Sequence, residues 1–253
     1  MKACVLASGS SGNSTYIETK NKKILIDLGM SVKYINEKLR EIGTNLDEID
    51  LILITHLHSD HISTLKTLDN YKIEIYVTNK MYKSLKNNNN LLNYVFYDDE
   101  INFEGLEIKK IVTSHDSIDS RGFIITEENN SVVYITDTGY LSLKTIEELK
   151  NKELYIMESN HDPIMLREGK YPLWLQRRIL SDKGHLSNEL SAIYLSKLIG
   201  PNTKKVFLAH LSKENNCETI ALKTFTDKLK ESEISFKEVS CAKPSDRTEV
   251  VTL

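Results

Sequence analysis

Short apolar runs, broken by turn formers, fill the first half of the chain. Ala3 to Ala7 is continuously apolar, and the run Ser8-Gly9-Ser10-Ser11-Gly12-Asn13 after it is a turn-rich loop. Ser14–Glu18 and Lys23–Asp27 read as hairpin strands joined through Thr19-Lys20-Asn21-Lys22. Residues 31–42 carry apolar positions at helical spacing, Leu51–Ile54 reads as a buried strand, and 62–68 predicts a helix. Further strands are expected at 74–77, 94–97, 107–112, 121–126 and 131–136. The second half alternates: helix 142–150 before strand 154–157, helix 187–198 before strand 205–209, and helix 216–231 before strand 235–239.

Strand runs mixed with intercalated helices predict sheets covered by helices, an α/β layered sandwich. No Pro/Gly/Ser-rich linker and no internal repeat divide the chain, so residues 1–253 are expected to form a single domain. The tract Asn87-Asn88-Asn89-Asn90 reads as an exposed loop. The opening MKACVLASGSSGN has too short an apolar stretch for a secretory leader. No apolar run approaches the roughly 18 residues needed to span a bilayer. A cytoplasmic protein with no membrane association is therefore expected. Cys4, Cys217 and Cys241 are scattered without metal-type spacing and read as reduced thiols. A net charge of -3 neither suggests nor excludes nucleic acid, because binding depends on where charge clusters.

The histidines change the picture. Of seven, three fall in His56-Leu57-His58-Ser59-Asp60-His61. Chance gives this spacing in only about one such sequence in several thousand, so an incidental surface turn is a poor account of it. Imidazole and carboxylate are ligands for Zn²⁺ and similar ions. His56 and His58 alternate as on a strand end, while Asp60 and His61 follow where the chain turns into a helix. One loop can thus serve two neighbouring ions. The remaining donors must come from elsewhere. His115, Asp137 and His210 each close an apolar strand run, in Val112-Thr113-Ser114-His115, Tyr134-Ile135-Thr136-Asp137 and Phe207-Leu208-Ala209-His210.

HxHxDH, then a lone His, an Asp in TDTG and a late His in LAHLS resemble the metallo-β-lactamase superfamily over residues 3–212. The resemblance implies an αββα sandwich of two mixed β-sheets flanked by helices. It implies a dinuclear centre with His56, His58 and His115 on one ion, Asp60, His61 and His210 on the other, and Asp137 between them. Asp27, in Leu25-Ile26-Asp27-Leu28-Gly29, matches an acid that buttresses the ligand loop. Five histidines and two aspartates suit Zn²⁺ or Mn²⁺, and Fe²⁺ also fits.

Gly184-His185-Leu186-Ser187-Asn188 is similar to the tail of the phosphodiesterase members that process tRNA 3′ ends. That similarity implies that His185 protonates a leaving oxygen and that Glu158 orients it. Asp60 is the expected base for water. Ser187, Asn188, Arg177 and Arg178 are candidate substrate-binding residues, although Ser187 is also placed to cap the following helix. His161 reads as a loop or supporting residue. The 72 residues between Asp137 and His210 are too few for the extra domain of the mRNA-processing and DNA-repair nucleases. SGSSGN, the block ESNHD…ML…G.YP at 158–172, RRILSDKGHLSN and the late LAHLS look like the compact WalJ/YycJ group, regarded as 5′-to-3′ DNA exonucleases. A nuclease acting on DNA in preference to RNA is implied. Residues 167–183 add Arg167, Lys170, Arg177, Arg178 and Lys183 against Glu168 and Asp182, with Tyr171 and Trp174 between, a composition that suits single strands. The alternatives are a small-molecule ester, thioester, lactone or cyclic phosphodiester hydrolase, and an inactive nucleic-acid-binding protein. The full ligand set argues against the last.

Overall fold

The computed structural model describes residues 1–68, 71–85 and 93–253, so the asparagine tract at 87–90 lies outside the described residues. Six strands come first: β1 (Lys2–Ala7), β2 (Ser14–Glu18), β3 (Lys23–Ile26), β4 (Leu51–Leu53), β5 (Glu74–Val77) and β6 (Asn93–Phe96). Seven more follow: β7 (Glu100–Phe103), β8 (Leu106–Val112), β9 (Arg121–Glu127), β10 (Asn130–Ile135), β11 (Leu154–Glu158), β12 (Lys205–Ala209) and β13 (Val239–Cys241). The last, β14 (Val251–Thr252), returns to pair with β1. The result is two seven-stranded mixed sheets, ordered β14-β1-β2-β3-β4-β5-β6 and β13-β12-β11-β10-β9-β8-β7.

The helices are α1 (Val32–Glu41), α2 (Ser59–Ile62), α3 (Asn79–Ser84), α4 (Leu143–Leu149), α5 (Pro163–Glu168), α6 (Leu173–Ile179), α7 (Asn188–Leu198) and α8 (Glu218–Glu231). Strand parity assigns the layers, because successive side chains leave opposite faces of a sheet. Ile24 and Ile26, Leu51 and Leu53, Val132 and Tyr134, and Leu154 and Ile156 fill the layer between the sheets. Their neighbours Leu25 and Ile52 instead pack with Ile35 and Leu39 of α1. Val133, Tyr155 and Leu208 pack with Leu195 of α7 and Phe225 of α8. Strands apolar on both faces therefore build an αββα sandwich.

Two sequence expectations shift. The helix expected over 62–68 starts earlier, at Ser59, and closes after one turn, with a 3₁₀ turn at Leu65–Thr67. Between them the Thr64 amide leaves helical bonding and donates to the Leu28 carbonyl. The strand expected at 235–239 forms at Val239–Cys241. Glu233, at φ 57°, ends α8 in the left-handed region, and Ile234 and Phe236 pack beneath the connection that follows. The short elements α3, α5, α6, β7 and β14 carry too few residues to show a period.

The topology also places the site. β3, β4 and β5 run parallel, as do β10, β11 and β12. Their C-terminal ends lie side by side in each sheet, and open-sheet sites form at such ends. Asp27 follows β3, His56 follows β4, Asp137 follows β10, Glu158 ends β11 and His210 follows β12.

Candidate metal centre

Three of these strand-end residues leave the sheet through an unusual backbone. Asp27, Asp137 and His210 have φ of 62°, 56° and 57°. Non-glycine residues held there cost about 1–3 kcal/mol each and persist only where the surroundings fix them. Here the surroundings are hydrogen bonds. The His210 amide donates to Ser8 Oγ at 2.7 Å, and its carbonyl accepts from Asn160 Nδ2 at 2.8 Å. Asp27 accepts from the Thr55 amide at 2.8 Å and the Thr55 hydroxyl at 2.7 Å.

The seven expected ligands meet. One group joins His56, His58 and His115, a second joins Asp60, His61 and His210, and Asp137 shares further groups with both sides. Within each group the donor atoms lie within 4.8 Å of one another. In the first, His56 Nε2 and His115 Nε2 each stand 3.1 Å from His58 Nδ1. In the second, Asp60 Oδ2 lies 3.4 Å from His61 Nε2 and 3.6 Å from His210 Nε2. Asp137 Oδ2 is 3.2 Å from His61 Nε2, and its Oδ1 is 3.8 Å from His115 Nε2.

The far nitrogen of each ring is held, which fixes the tautomer that faces inward. His61 Nδ1 lies 2.7 Å from Asp27 Oδ2, His115 Nδ1 3.2 Å from the Gly184 carbonyl, and His56 Nδ1 3.0 Å from Thr55 Oγ1. His210 Nδ1 lies 3.0 Å from Glu158 Oε1. His58 is turned the other way, with Nδ1 inward and Nε2 3.6 Å from Asp116 Oδ1. Asp27 thus takes the buttressing position that the resemblance implied for it.

This donor set fits divalent cations. Three ring nitrogens facing one another cannot all be satisfied by the protons they carry. Buried Asp137 Oδ2 and His210 Nε2 have no aligned hydrogen-bond partner. Burial presses His56, His58 and His115 below the ordinary histidine value, so they present lone pairs. Burial also opposes charge on His61 and His210. For His61 the carboxylates of Asp27 and Asp137 outweigh it and hold the ring well above the ordinary value. For His210, Asp137, Asp60 and Glu158 do the same and raise it to about 10. Burial would raise Asp60 and Asp137, but the neighbouring histidines hold both well below the usual carboxylate range.

Beside this centre, His185 Nδ1 lies 2.8 Å from Glu158 Oε1 and 3.6 Å from Asp137 Oδ1. Glu158 is fully buried and fully engaged, its Oε2 accepting from the Thr138 and Leu186 amides at 3.1 and 2.9 Å. Burial would raise its pKa, but His185 and His210 hold it at about 2. His161 is buried with both ring nitrogens unpartnered, and burial lowers it to about 4.

The expected substrate-binding residues are placed differently from one another. Ser187 caps α7 by accepting from the Leu190 amide at 3.2 Å. Asn188 is buried and accepts from Ser159 Oγ at 2.6 Å and from Asn216 Nδ2 at 2.9 Å. Arg178 is bound twice to Asp116, through Nε at 2.5 Å and Nη2 at 3.0 Å. Arg177 is exposed and makes no ion pair among the described residues.

Asn13 escaped the sequence reading. Its Nδ2 lies 3.2 Å from Asp60 Oδ2 and 3.0 Å from His61 Nε2, and its amide donates to the Asp60 carbonyl at 2.8 Å. The loop Ser8–Asn13 is thus a cradle for the Asp60–His61 segment and for the His210 backbone. Thr55, which links Asp27, His56 and His61, was also missed, as was Asp116. For Asn13 the one signal was an unusually long small-residue run between two apolar strands.

Residues 22–210 match the β-lactamase superfamily domain. The chain is 39% identical over 241 residues to the exodeoxyribonuclease WalJ of Streptococcus pneumoniae serotype 2 (strain D39 / NCTC 7466), covering 92% of this chain and 90% of that protein. It is 36% identical over 233 residues to the exodeoxyribonuclease YycJ of Bacillus anthracis, covering 90% and 88%. Among solved structures, the metallo-β-lactamase fold protein YhfI from Bacillus subtilis superposes with a TM-score of 0.71 at 18% identity, over 98% of this chain and 99% of that one. A conserved-length match of this kind, with the sheets and donor set above, places the chain in the β-lactamase domain superfamily of metal-dependent hydrolases, in the family of the exodeoxyribonucleases WalJ and YycJ.

Proposed function

We propose that this protein is a dinuclear metal-dependent exodeoxyribonuclease that cleaves phosphodiester bonds from the 5′ end. The observation that carries the reading is the His185–Glu158 pair set against Asp137, in a chain whose relatives over nine-tenths of its length are exodeoxyribonucleases. Phosphodiester cleavage needs a base for water and an acid for the leaving alkoxide. A carboxylate-held imidazole beside the donor cluster supplies the acid, which a thioester, whose leaving group is a thiolate, does not demand.

His56, His58 and His115 would hold one divalent ion, Asp60, His61 and His210 the other, and Asp137 would serve both. When bound, such a pair supplies Lewis acidity that activates water at neutral pH and neutralises charge on the phosphate. The protein's own groups do the rest. Asp60, kept anionic by its histidine neighbours, accepts the proton of the attacking water. The new bond forms between that water oxygen and phosphorus as the bond to the leaving sugar oxygen breaks. His185, with Nδ1 fixed by Glu158, passes its Nε2 proton to that oxygen. Asp27 and Asn13 hold His61 and Asp60 in place throughout.

The test is cleavage by purified protein, loaded with Mn²⁺ or Zn²⁺, of 5′-labelled DNA, 5′-labelled RNA and a simple lactone. Release of 5′ mononucleotides from DNA, faster than from RNA, is expected. Lactone hydrolysis with intact DNA would overturn the assignment in favour of a small-molecule hydrolase.

A further inference from the structure

The short helix α6 carries polar and aromatic groups that the chemistry above does not use. Leu175, Gln176 and Ile179 turn inward, while Trp174, Arg177 and Arg178 fall at positions i, i+3 and i+4, on one outward face. Trp174 is 67% exposed. Leu173 beside it is 68% exposed, so the helix presents an apolar patch and not a lone ring, the kind of surface that marks an interaction site.

The helix is fastened to the candidate centre at its C-terminal end. Arg178 grips Asp116 with two bonds, and Asp116 Oδ1 lies 3.6 Å from His58 Nε2 and 3.5 Å from His115 Nε2. The His185 amide donates to the Ile179 carbonyl at 3.0 Å. A Cβ on Gly184 would come within 2.0 Å of that same carbonyl, so this contact needs glycine. The outward face of α6 is thus continuous with the mouth of the site.

Its charge points to an anionic partner. Arg167, Lys170, Arg177 and Lys183 are exposed and make no ion pair among the described residues, against Glu168 and Asp182 in the same stretch. Arg178, already neutralised by Asp116, is a fastener for the helix. Trp174 lies three residues before Arg177, which is about 4.5 Å along the axis. That is a little over one nucleotide of a stacked strand at its ~3.4 Å rise, so a stacked base and the phosphate next to it fit the pair.

We propose that α6 is the docking platform for a single DNA strand leading to the site, with Trp174 stacking on a base and Arg177 contacting phosphate. The proposal rests on the nuclease reading and names the part of the surface that receives the strand. A stacking ring flanked by unpaired cations is the combination that binds single strands without regard to sequence.

Trp174 is the chain's one tryptophan, so its emission reports on this platform directly. The experiment titrates metal-loaded protein with a phosphorothioate poly-dT strand, following emission and the anisotropy of a dye on the strand together. Emission should change with the same midpoint as anisotropy, and phosphatidylglycerol vesicles should leave it unchanged. In kinetics on ordinary poly-dT, Trp174→Ala should raise KM roughly 5- to 100-fold, the range of a lost base stack, and Trp174→Phe should recover most of it. The loss on bis-p-nitrophenyl phosphate, which has no strand, should be several-fold smaller.

Strand binding with unchanged emission would overturn the proposal. So would emission that responds to vesicles and not to DNA, which would make α6 a membrane-contact surface. Equal losses on poly-dT and on the small diester would make Trp174 a structural support of the site. A wild-type protein that neither binds nor cleaves DNA would sink the nuclease reading first, and is distinct from each of these results.

Discussion

Glu158 Oε1 stands between His185 Nδ1 at 2.8 Å and His210 Nδ1 at 3.0 Å. One carboxylate oxygen therefore orients two imidazoles, one assigned to proton transfer and one to the metal pair. The two roles separate experimentally. His185→Ala should keep both metals and the fold and lose roughly 10²- to 10⁴-fold in rate on DNA, the size of a general-acid contribution. The defect should shrink on a nitrophenyl ester, whose leaving group needs no proton. Equal defects on both substrates would show that His185 binds phosphate and donates nothing.

Glu158→Gln should do more than weaken that acid. Both carboxylate oxygens accept, two imidazoles on Oε1 and two backbone amides on Oε2. A glutamine turns one oxygen into an NH₂ group, which then faces two donors whichever way it points, leaving buried donors unpaired at about 1–3 kcal/mol each. The variant should melt at lower temperature and hold metal less tightly than His185→Ala. Wild-type stability with only a rate defect would mean that the His210 contact is incidental.

Asp60→Ala should abolish hydrolysis, and His56→Ala should reduce the metal content below two equivalents. Asp60 Oδ2 reaches both His61 Nε2 and His210 Nε2, and Asp60 is the base in the proposed reaction. Metal analysis beside a cleavage assay decides the matter. Full turnover by the Asp60 variant would place the chemistry elsewhere.

HxHxDH was legible because its donors are packed into six residues, and His115, Asp137 and His210 because each closes an apolar strand. The sandwich was legible for a similar reason: runs such as Leu51–Ile54 and Val132–Ile135 are apolar on both faces. Asn13 was not, since what makes it functional is the approach of Asp60 from 47 positions away, and nothing local to a turn asparagine announces that. Asp116 was hidden in the same way, because its partner Arg178 lies 62 residues on. The run RRILSDKG gave two arginines of equal standing. Only packing separates Arg178, spent on Asp116, from Arg177, which is exposed and makes no ion pair among the described residues.

Asp27→Asn tests the buttress. The carboxylate is fully buried and takes the Thr55 amide, the Thr55 hydroxyl and the His61 ring. An asparagine can keep the Thr55 amide on its oxygen, but its NH₂ then faces His61 Nδ1 and favours the tautomer with the proton on Nε2. That nitrogen is the inward one. Metal affinity should fall about 10- to 100-fold, as for other partners of ligating histidines. The loss should fall on one of the two ions and leave the His56, His58 and His115 set loaded. Equal loss of both ions, read by competition with a chelator, would mean that Asp27 supports the whole loop and not His61.

The two halves of the centre should load with different pH dependence. In the metal-free protein His61 and His210 keep their protons at neutral pH, because surrounding carboxylates raise them, His210 to about 10. A cation needs their lone pairs, so loading the Asp60, His61 and His210 set must expel about two protons. His56, His58 and His115 are lowered by burial and are already neutral there, so their set expels none. The sign follows directly. As pH falls from about 8 to about 7, affinity at the Asp60 set should drop steeply, on the order of 100-fold for two protons, while the three-histidine set holds its ion. Calorimetry in two buffers of different ionisation enthalpy measures the protons released at each step. A first equivalent that binds without proton release, followed by a second that releases protons, is the expected result. Identical release at both steps would show that the carboxylates around His61 and His210 do not hold them charged, and that the two sets are electrostatically alike.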